Sequence, residues 1–285
     1  MTPAIDTARP AALFPGQGSQ VPGMRENVET RAPDLLERCL ELVGEDPFAR
    51  VDESTRFAQP AIFCASLSAF QDAGLEPGVA TGHSLGELAA LTAAGVFARE
   101  DALELVVLRG RLMADADPDG SMIALIGGTP EDAAAVAEQS GVTVANDNAP
   151  GQIVLSGPRQ ALARAEAAAG ELGRRTLPVD VAGAFHSPSM RPAMEPFRAA
   201  LDEVEVREPR FAVISCATTR PFEDVRAELT EALVRPVRWR ETMLALHAGG
   251  VRDFVETGPG KLLARMGKRI LPDCPVTALE EHAHA

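Results

Sequence analysis

Residues 82–87 read Gly-His-Ser-Leu-Gly-Glu, so Ser84 stands between two glycines in a G-x-S-x-G pattern. A short apolar run over 78–82 precedes it, and a helix-forming run over 85–95 follows. That is the setting of a nucleophile elbow, a sharp strand-to-helix turn that lifts a serine hydroxyl clear of a sheet. The glycines admit close backbone approach, and a helix starting at Leu85 aims its free N–H groups at whatever the serine carries. The chemistry on offer is nucleophilic acyl transfer. The same residues also fit a helix N-cap serine in a tight turn, and pattern alone does not separate the two.

A nucleophilic serine needs a base, and the chain has five histidines. His83 adjoins the serine, but successive side chains at a tight turn diverge, which favours packing beneath the elbow. His282 and His284 lie in the tail Glu-Glu-His-Ala-His-Ala, expected to be disordered. His247 falls four residues after Met243 in a helical run, as a half-buried structural histidine would. His186 follows a strand and a glycine in the stretch 181–190, on a loop where proton exchange is open to it. Asp180 and Asp253 follow the serine and are available as the acid of a triad, though neither sits in a catalytic motif.

Apolar patterning outlines the elements that must carry these groups. Residues 11–14 form a buried strand stopped by Pro15, and residues 25–43 show helical spacing with a break near Pro33. A buried helix is expected over 61–74 with Gly74 as its cap, and another over 101–116. Alternating strands and helices of this kind predict an α/β domain with a largely parallel sheet. From 120 to 183 the order becomes β-α-β-β-α-β, the ferredoxin-like sequence, its last strand expected over 174–183. The chain then returns, with strands over 211–217 and 253–258 and a helix over 240–248. The expected organisation is a large hydrolase-like domain formed by 1–119 and 188–285, with a small ferredoxin-like domain, 120–187, inserted into it.

Composition narrows the function classes. Forty-one acidic against 27 basic residues give a net charge of −14, which disfavours nucleic acid as a partner. The cysteines at 39, 64, 216 and 274 form no CxxC pair, so neither a zinc site nor a disulfide framework is expected. No basic leader with an apolar run opens the chain, and no window approaches the ~18 apolar residues of a membrane span. A cytoplasmic protein, away from membranes, is the expectation.

Seven separated stretches then agree. Phe-Pro-Gly-Gln-Gly-Ser-Gln (14–20), the 82–87 motif, Leu-Arg-Gly (108–110), the runs over 148–157 and 183–190, Pro-Val-Arg-Trp (236–239) and the run over 256–269 occur in that order. Together they resemble the malonyl-CoA:acyl carrier protein transacylases of fatty acid and polyketide synthesis, over roughly residues 11–280. That family pairs a hydrolase-like α/β domain with a ferredoxin-like insertion.

The resemblance implies roles by position. Ser84 matches the nucleophile and His186 its base. Gln17 and Leu85 match the residues whose main-chain N–H groups form an oxyanion hole. Arg109 matches the arginine that grips the malonyl carboxylate, which suits a planar, two-pronged guanidinium. By spacing alone Arg109 lies beside an apolar face running through Leu105 and Leu108, as a surface helix arginine would. Phe185, before the base, matches the residue that favours malonyl over methylmalonyl. Asn146 and Asn148 fall in a stretch the family places near substrate, and Arg238 is grouped with the substrate-binding residues. In this family a main-chain carbonyl in a segment reading N-P-V-x-W orients the histidine; here the segment is Arg235-Pro236-Val237-Arg238-Trp239, a departure at 235 and at 238.

The implied activity is ping-pong transfer of malonyl from malonyl-CoA to the phosphopantetheine thiol of an acyl carrier protein, without metal or bound cofactor, by a monomer. Carrier proteins are acidic, so docking would need a basic patch; Arg174/Arg175, Arg235/Arg238/Arg240 and Lys261/Arg265/Lys268/Arg269 are the clusters on offer. The alternative is a serine acyl hydrolase, a thioesterase or esterase, on the same scaffold.

Overall fold

The computed structural model describes residues 3–279, so the tail histidines His282 and His284 lie outside the described residues. From the N-terminus run β1 (Ala11–Phe14), α1 (Met24–Arg31), α2 (Pro33–Val43), α3 (Thr55–Ala73), β2 (Val79–Gly82), α4 (Gly86–Ala93) and α5 (Arg99–Ala116). Then come β3 (Gly120–Ile126), α6 (Pro130–Ser140), β4 (Thr143–Ala149), β5 (Gln152–Pro158), α7 (Arg159–Glu171) and β6 (Arg175–Val179). The chain closes with α8 (Arg191–Glu203), β7 (Ala212–Ile214), α9 (Val225–Glu231), α10 (Trp239–Ala248), β8 (Phe254–Glu256), α11 (Leu262–Ile270) and β9 (Val276–Ala278).

Two sheets result. A five-stranded parallel sheet has the order β7-β2-β1-β8-β9, and a four-stranded antiparallel sheet has the order β4-β5-β3-β6. The α/β class with a ferredoxin-like β-α-β-β-α-β unit is therefore present. The parallel strands are short and buried on both faces, as a sheet covered by helices on each side requires. Because side chains alternate across a strand, Phe14 joins the core with Ile62, Leu88 and Val106, while Leu13 joins Trp239, Met243 and Phe254 on the other side. A third core, around Leu125, Val136, Leu155 and Leu162, seats α6 and α7 on the antiparallel sheet.

Local chemistry sets the boundaries. Thr129 and Asp132 form a reciprocal capping box at the start of α6, and Gly44 and Gly74 end α2 and α3 in the left-handed conformation. Helix α3 begins at Thr55, not at 61, because the Ser54 side chain caps it and the helix runs on through Pro60. The strand expected over 174–183 stops at Val179, and residues 180–190 become the return loop that carries His186. Helix α8 was not expected from the sequence: Pro192 and Pro196 interrupt a stripe of Ala193, Phe197 and Leu201, yet these three are buried in the core.

The two sheets meet at residues 235–240. The Asp147 N–H donates to the Val237 carbonyl (2.9 Å), and the Val237 N–H donates to the Ala145 carbonyl (2.8 Å). Arg240 adds an ion pair with Asp147 at 2.7 Å. Strand β4 is thereby fixed against the segment that precedes α10.

Candidate active site

Ser84 occupies the turn between β2 and α4 with φ of 53°, a left-handed conformation that costs a non-glycine residue of order 1–3 kcal/mol. The turn closes this tightly only because of its glycines. A Cβ on Gly82 would overlap the Gly86 carbonyl group, and one on Gly86 would overlap the Phe14 carbonyl oxygen. The elbow predicted from G-x-S-x-G is thus formed, and its strain holds the hydroxyl toward a cavity of about 370 Å³.

His186 approaches from the return loop, itself left-handed with φ of 55°. Its Nε2 lies 2.7 Å from Ser84 Oγ. Its Nδ1 faces two main-chain carbonyls, Ala232 O at 3.0 Å and Arg235 O at 3.2 Å. Carbonyls only accept, so Nδ1 carries the proton and the Nε2 lone pair is turned to the serine. Burial, reinforced by the Arg109 charge, pushes the His186 pKa down to about 3, which keeps the imidazole neutral and able to accept a proton at neutral pH. The orienting group is main chain, not a carboxylate. Arg235 departs from the family pattern without disturbing this: its side chain turns out to Glu231 (3.2 Å) while its carbonyl meets the histidine.

His83 points away from the nucleophile. Its Nε2 is paired with Asn148 Oδ1 at 2.8 Å, and its ring packs on Trp239 with centroids 5.6 Å apart. Asn148 and Asn146, both on β4, line the cavity, as do Gln17, Leu85 and Phe185.

Arg109 is buried, 4% exposed, and corrects the reading that set it beside the apolar stripe. The buried face of α5 runs through Ala102, Leu105, Val106, Arg109 and Met113, whereas Leu108 is only half-buried. Arg109 occupies a core position. Its Nη2 donates to Ser84 Oγ (3.2 Å) and its Nη1 to Gln59 Oε1 (2.6 Å). Burial lowers its pKa to about 10, so it remains charged at neutral pH. Arg238, by contrast, does not line this cavity: its guanidinium is engaged by Glu241 at 2.5 Å. The proposed basic clusters are likewise committed in part, Arg174 to Asp132 and Arg240 to Asp147.

Two participants escaped the sequence reading. Gln59 sits on a stretch of α3 that the expected helix left out. Glu87, which ends the 82–87 motif, is 1% exposed and accepts from the Cys216 N–H at 2.8 Å. Burial pushes its pKa up to about 7, against 4.5 for an ordinary glutamate. A carboxyl raised in this direction gives full stability below the unfolded value and loses it as pH climbs through the folded one. Glu87→Gln should therefore gain on the native protein between about pH 5 and pH 8, by on the order of 3 kcal/mol. Denaturant unfolding at both pH values checks this; a pH-independent difference would remove the ionisation from the account.

Among the described residues no group of three His, Cys, Asp or Glu is placed to hold a metal ion, and no helix is long and apolar enough to cross a membrane.

The family model described as "Acyl transferase domain" matches residues 12–280. The malonyl CoA-acyl carrier protein transacylase of Haemophilus influenzae is 35% identical, with 96% of each chain covered. The polyketide biosynthesis protein ThaF of Burkholderia thailandensis is 39% identical over 92% of this chain, which spans about a quarter (24%) of that longer protein. Among solved structures, a malonyl-transacylase in complex with its type II PKS acyl-carrier protein superposes with a TM-score of 0.87 at 32% identity, covering 95% of this chain and 94% of that one. With the match running from β1 past β9, the chain belongs to the acyl transferase domain family.

Proposed function

We propose that the chain transfers malonyl from malonyl-CoA to the phosphopantetheine thiol of an acyl carrier protein, through an ester on Ser84. The observation that carries this reading is Arg109. It is a buried guanidinium in the nucleophile's own cavity, and its hydrogen-bond partners, Gln59 and Ser84, are both neutral. Such a cation is far better placed when an anion reaches it. A malonyl ester on Ser84 brings a free carboxylate to that spot.

In the first half-reaction, Ser84 Oγ bonds to the thioester carbonyl carbon as its proton passes to His186 Nε2. The oxyanion is received by the N–H groups of Gln17 and Leu85. The carbon–sulfur bond breaks and His186 returns the proton to the CoA sulfur. In the second, the pantetheine thiol gives its proton to His186 and attacks the ester, and the serine recovers a proton from the histidine. Every step runs on the chain's own residues and its two partners, and we assign no role to a metal or cofactor. Phe185 is buried and lines the cavity; we read it as the residue that disfavours an α-methyl, a preference worth ~1–3 kcal/mol. We read the protein as a cytoplasmic monomer.

Intact mass after incubation with malonyl-CoA tests the reading. A malonyl adduct should form and leave on addition of holo carrier protein, with malonyl recovered on the carrier. Release of CoA without transfer would instead identify an acyl hydrolase. Arg109→Ala should cut malonyl loading by on the order of 10²-fold and acetyl loading far less, since only malonyl brings a carboxylate to that charge. Equal loss on both acyl groups would take the carboxylate role away from Arg109.

A further inference from the structure

We propose that Gln59 is a specificity-determining positioning residue: by gripping Arg109 with a neutral amide, it keeps the guanidinium charge available for acyl groups that bear a free carboxylate. This rests on the transfer reading above, and concerns a residue that touches Arg109 in the cavity wall.

Gln59 is 2% exposed on α3. Its Oε1 accepts from Arg109 Nη1 at 2.6 Å, while its Nε2 donates to Thr55 Oγ1 at 2.8 Å and faces Met113 Sδ at 3.4 Å. These partners fix the amide's orientation. Arg109 is a donor only, so the oxygen must face it; the nitrogen is turned toward two acceptors, one a turn earlier on α3 and one a turn later on α5. Turning the amide over would set its NH₂ against the guanidinium.

The close approach of the two helices depends on Gly110, next to Arg109. A Cβ there would lie 3.0 Å from the Thr55 carbonyl oxygen and 3.3 Å from Arg56 Cα. The glycine of the Leu-Arg-Gly motif thus brings the arginine's helix onto the turn of α3 that carries Thr55 and Gln59.

The charge of the partner decides what the arginine can do. A carboxylate at position 59 would accept the same hydrogen bond, but it would also neutralise the guanidinium with a permanent internal ion pair. An incoming carboxylate would then meet a satisfied cation and a nearby like charge. An amide positions the group without cancelling it. Glu87, the acid nearby, accepts from the Cys216 N–H and is raised by burial into the neutral range, so it cancels the charge only in part.

The test compares loading of wild type, Gln59→Glu and Gln59→Met, each as the full chain, with malonyl-CoA and acetyl-CoA by rapid quench and intact mass. Gln59→Glu is expected to lower the malonyl-to-acetyl loading ratio by on the order of 10²-fold, with acetyl loading largely retained. Gln59→Met removes the grip but keeps the charge. It should raise KM for malonyl-CoA more than it lowers kcat, leave malonyl preferred, and cost malonyl loading more than acetyl loading. An unchanged ratio in Gln59→Glu, or equal losses on both acyl groups in Gln59→Met, would overturn the proposal while the transfer reading stands. Should Gln59→Glu fail to fold, the methionine variant decides alone by the same criterion. A wild type that loads no malonyl would overturn the transfer reading, and this inference with it.

Discussion

Ser84→Ala is expected to abolish the acyl-enzyme and lower transfer by at least ~10⁴-fold, because no other group in the cavity is placed to accept the acyl chain at the same point. The effect should be chemical, not structural. Alanine keeps the Cβ and so keeps the same left-handed backbone strain at φ of 53°, while the glycines that close the turn are untouched. What is lost is the Oγ that His186 and Arg109 both contact, at 2.7 and 3.2 Å. Both partners open on the cavity, where water can take the place of the hydroxyl. The variant should therefore melt within a few degrees of wild type and still bind malonyl-CoA, with Arg109 free to meet the carboxylate. Intact mass with malonyl-CoA is the measurement. A malonyl adduct on the alanine variant would move the nucleophile elsewhere in the chain.

How far this site could be read from the chain depends on whether side chains or main chain do the work. Ser84 was legible because a glycine stands two residues to either side, and only glycine passes the contacts that Gly82 makes with Gly86 and Gly86 makes with Phe14. Arg109 was legible as a residue but not in its burial: counting Leu108 into the apolar stripe pushed the arginine off the core face it in fact shares with Leu105 and Met113. Gln59 was hidden because the expected helix started at 61, whereas the Ser54 cap starts it at Thr55. The groups that orient His186 were legible only through the family resemblance, which placed a main-chain carbonyl in the 235–239 segment and left out the one at Ala232. They are the carbonyls of Ala232 and Arg235, and a carbonyl is the same in every residue, so the departure at 235 from the family pattern says nothing about it. Arg238 misled for the converse reason: a motif position was read as a site position, and its side chain turned out to serve Glu241.

His186→Ala should slow both half-reactions by about 10²–10⁴-fold, the usual worth of a positioned general base, while leaving Ser84 able to acylate slowly. The two half-reactions should also differ in pH dependence. In the free enzyme the histidine is held down to a pKa of about 3, first by burial and then by the charge of Arg109. The active form is the neutral imidazole, so acylation should stay flat as pH falls below 6.5, the ordinary histidine value, and well on toward acid. Once malonyl is on Ser84, its carboxylate offsets the Arg109 charge and weakens the second of those causes, leaving burial as the main one that lowers the pKa. The histidine pKa must then rise, and transfer to the carrier thiol should begin to fail at a higher pH than acylation does. Acetyl, which brings no carboxylate, should show no such separation. The second-order rate of acylation (kcat/KM), which reports the free enzyme, and the rate of transfer from the acyl-enzyme, each across the acid range for malonyl and for acetyl, measure it directly. Coincident pH profiles for the two malonyl half-reactions would mean that Arg109 and His186 are not electrostatically coupled through the substrate.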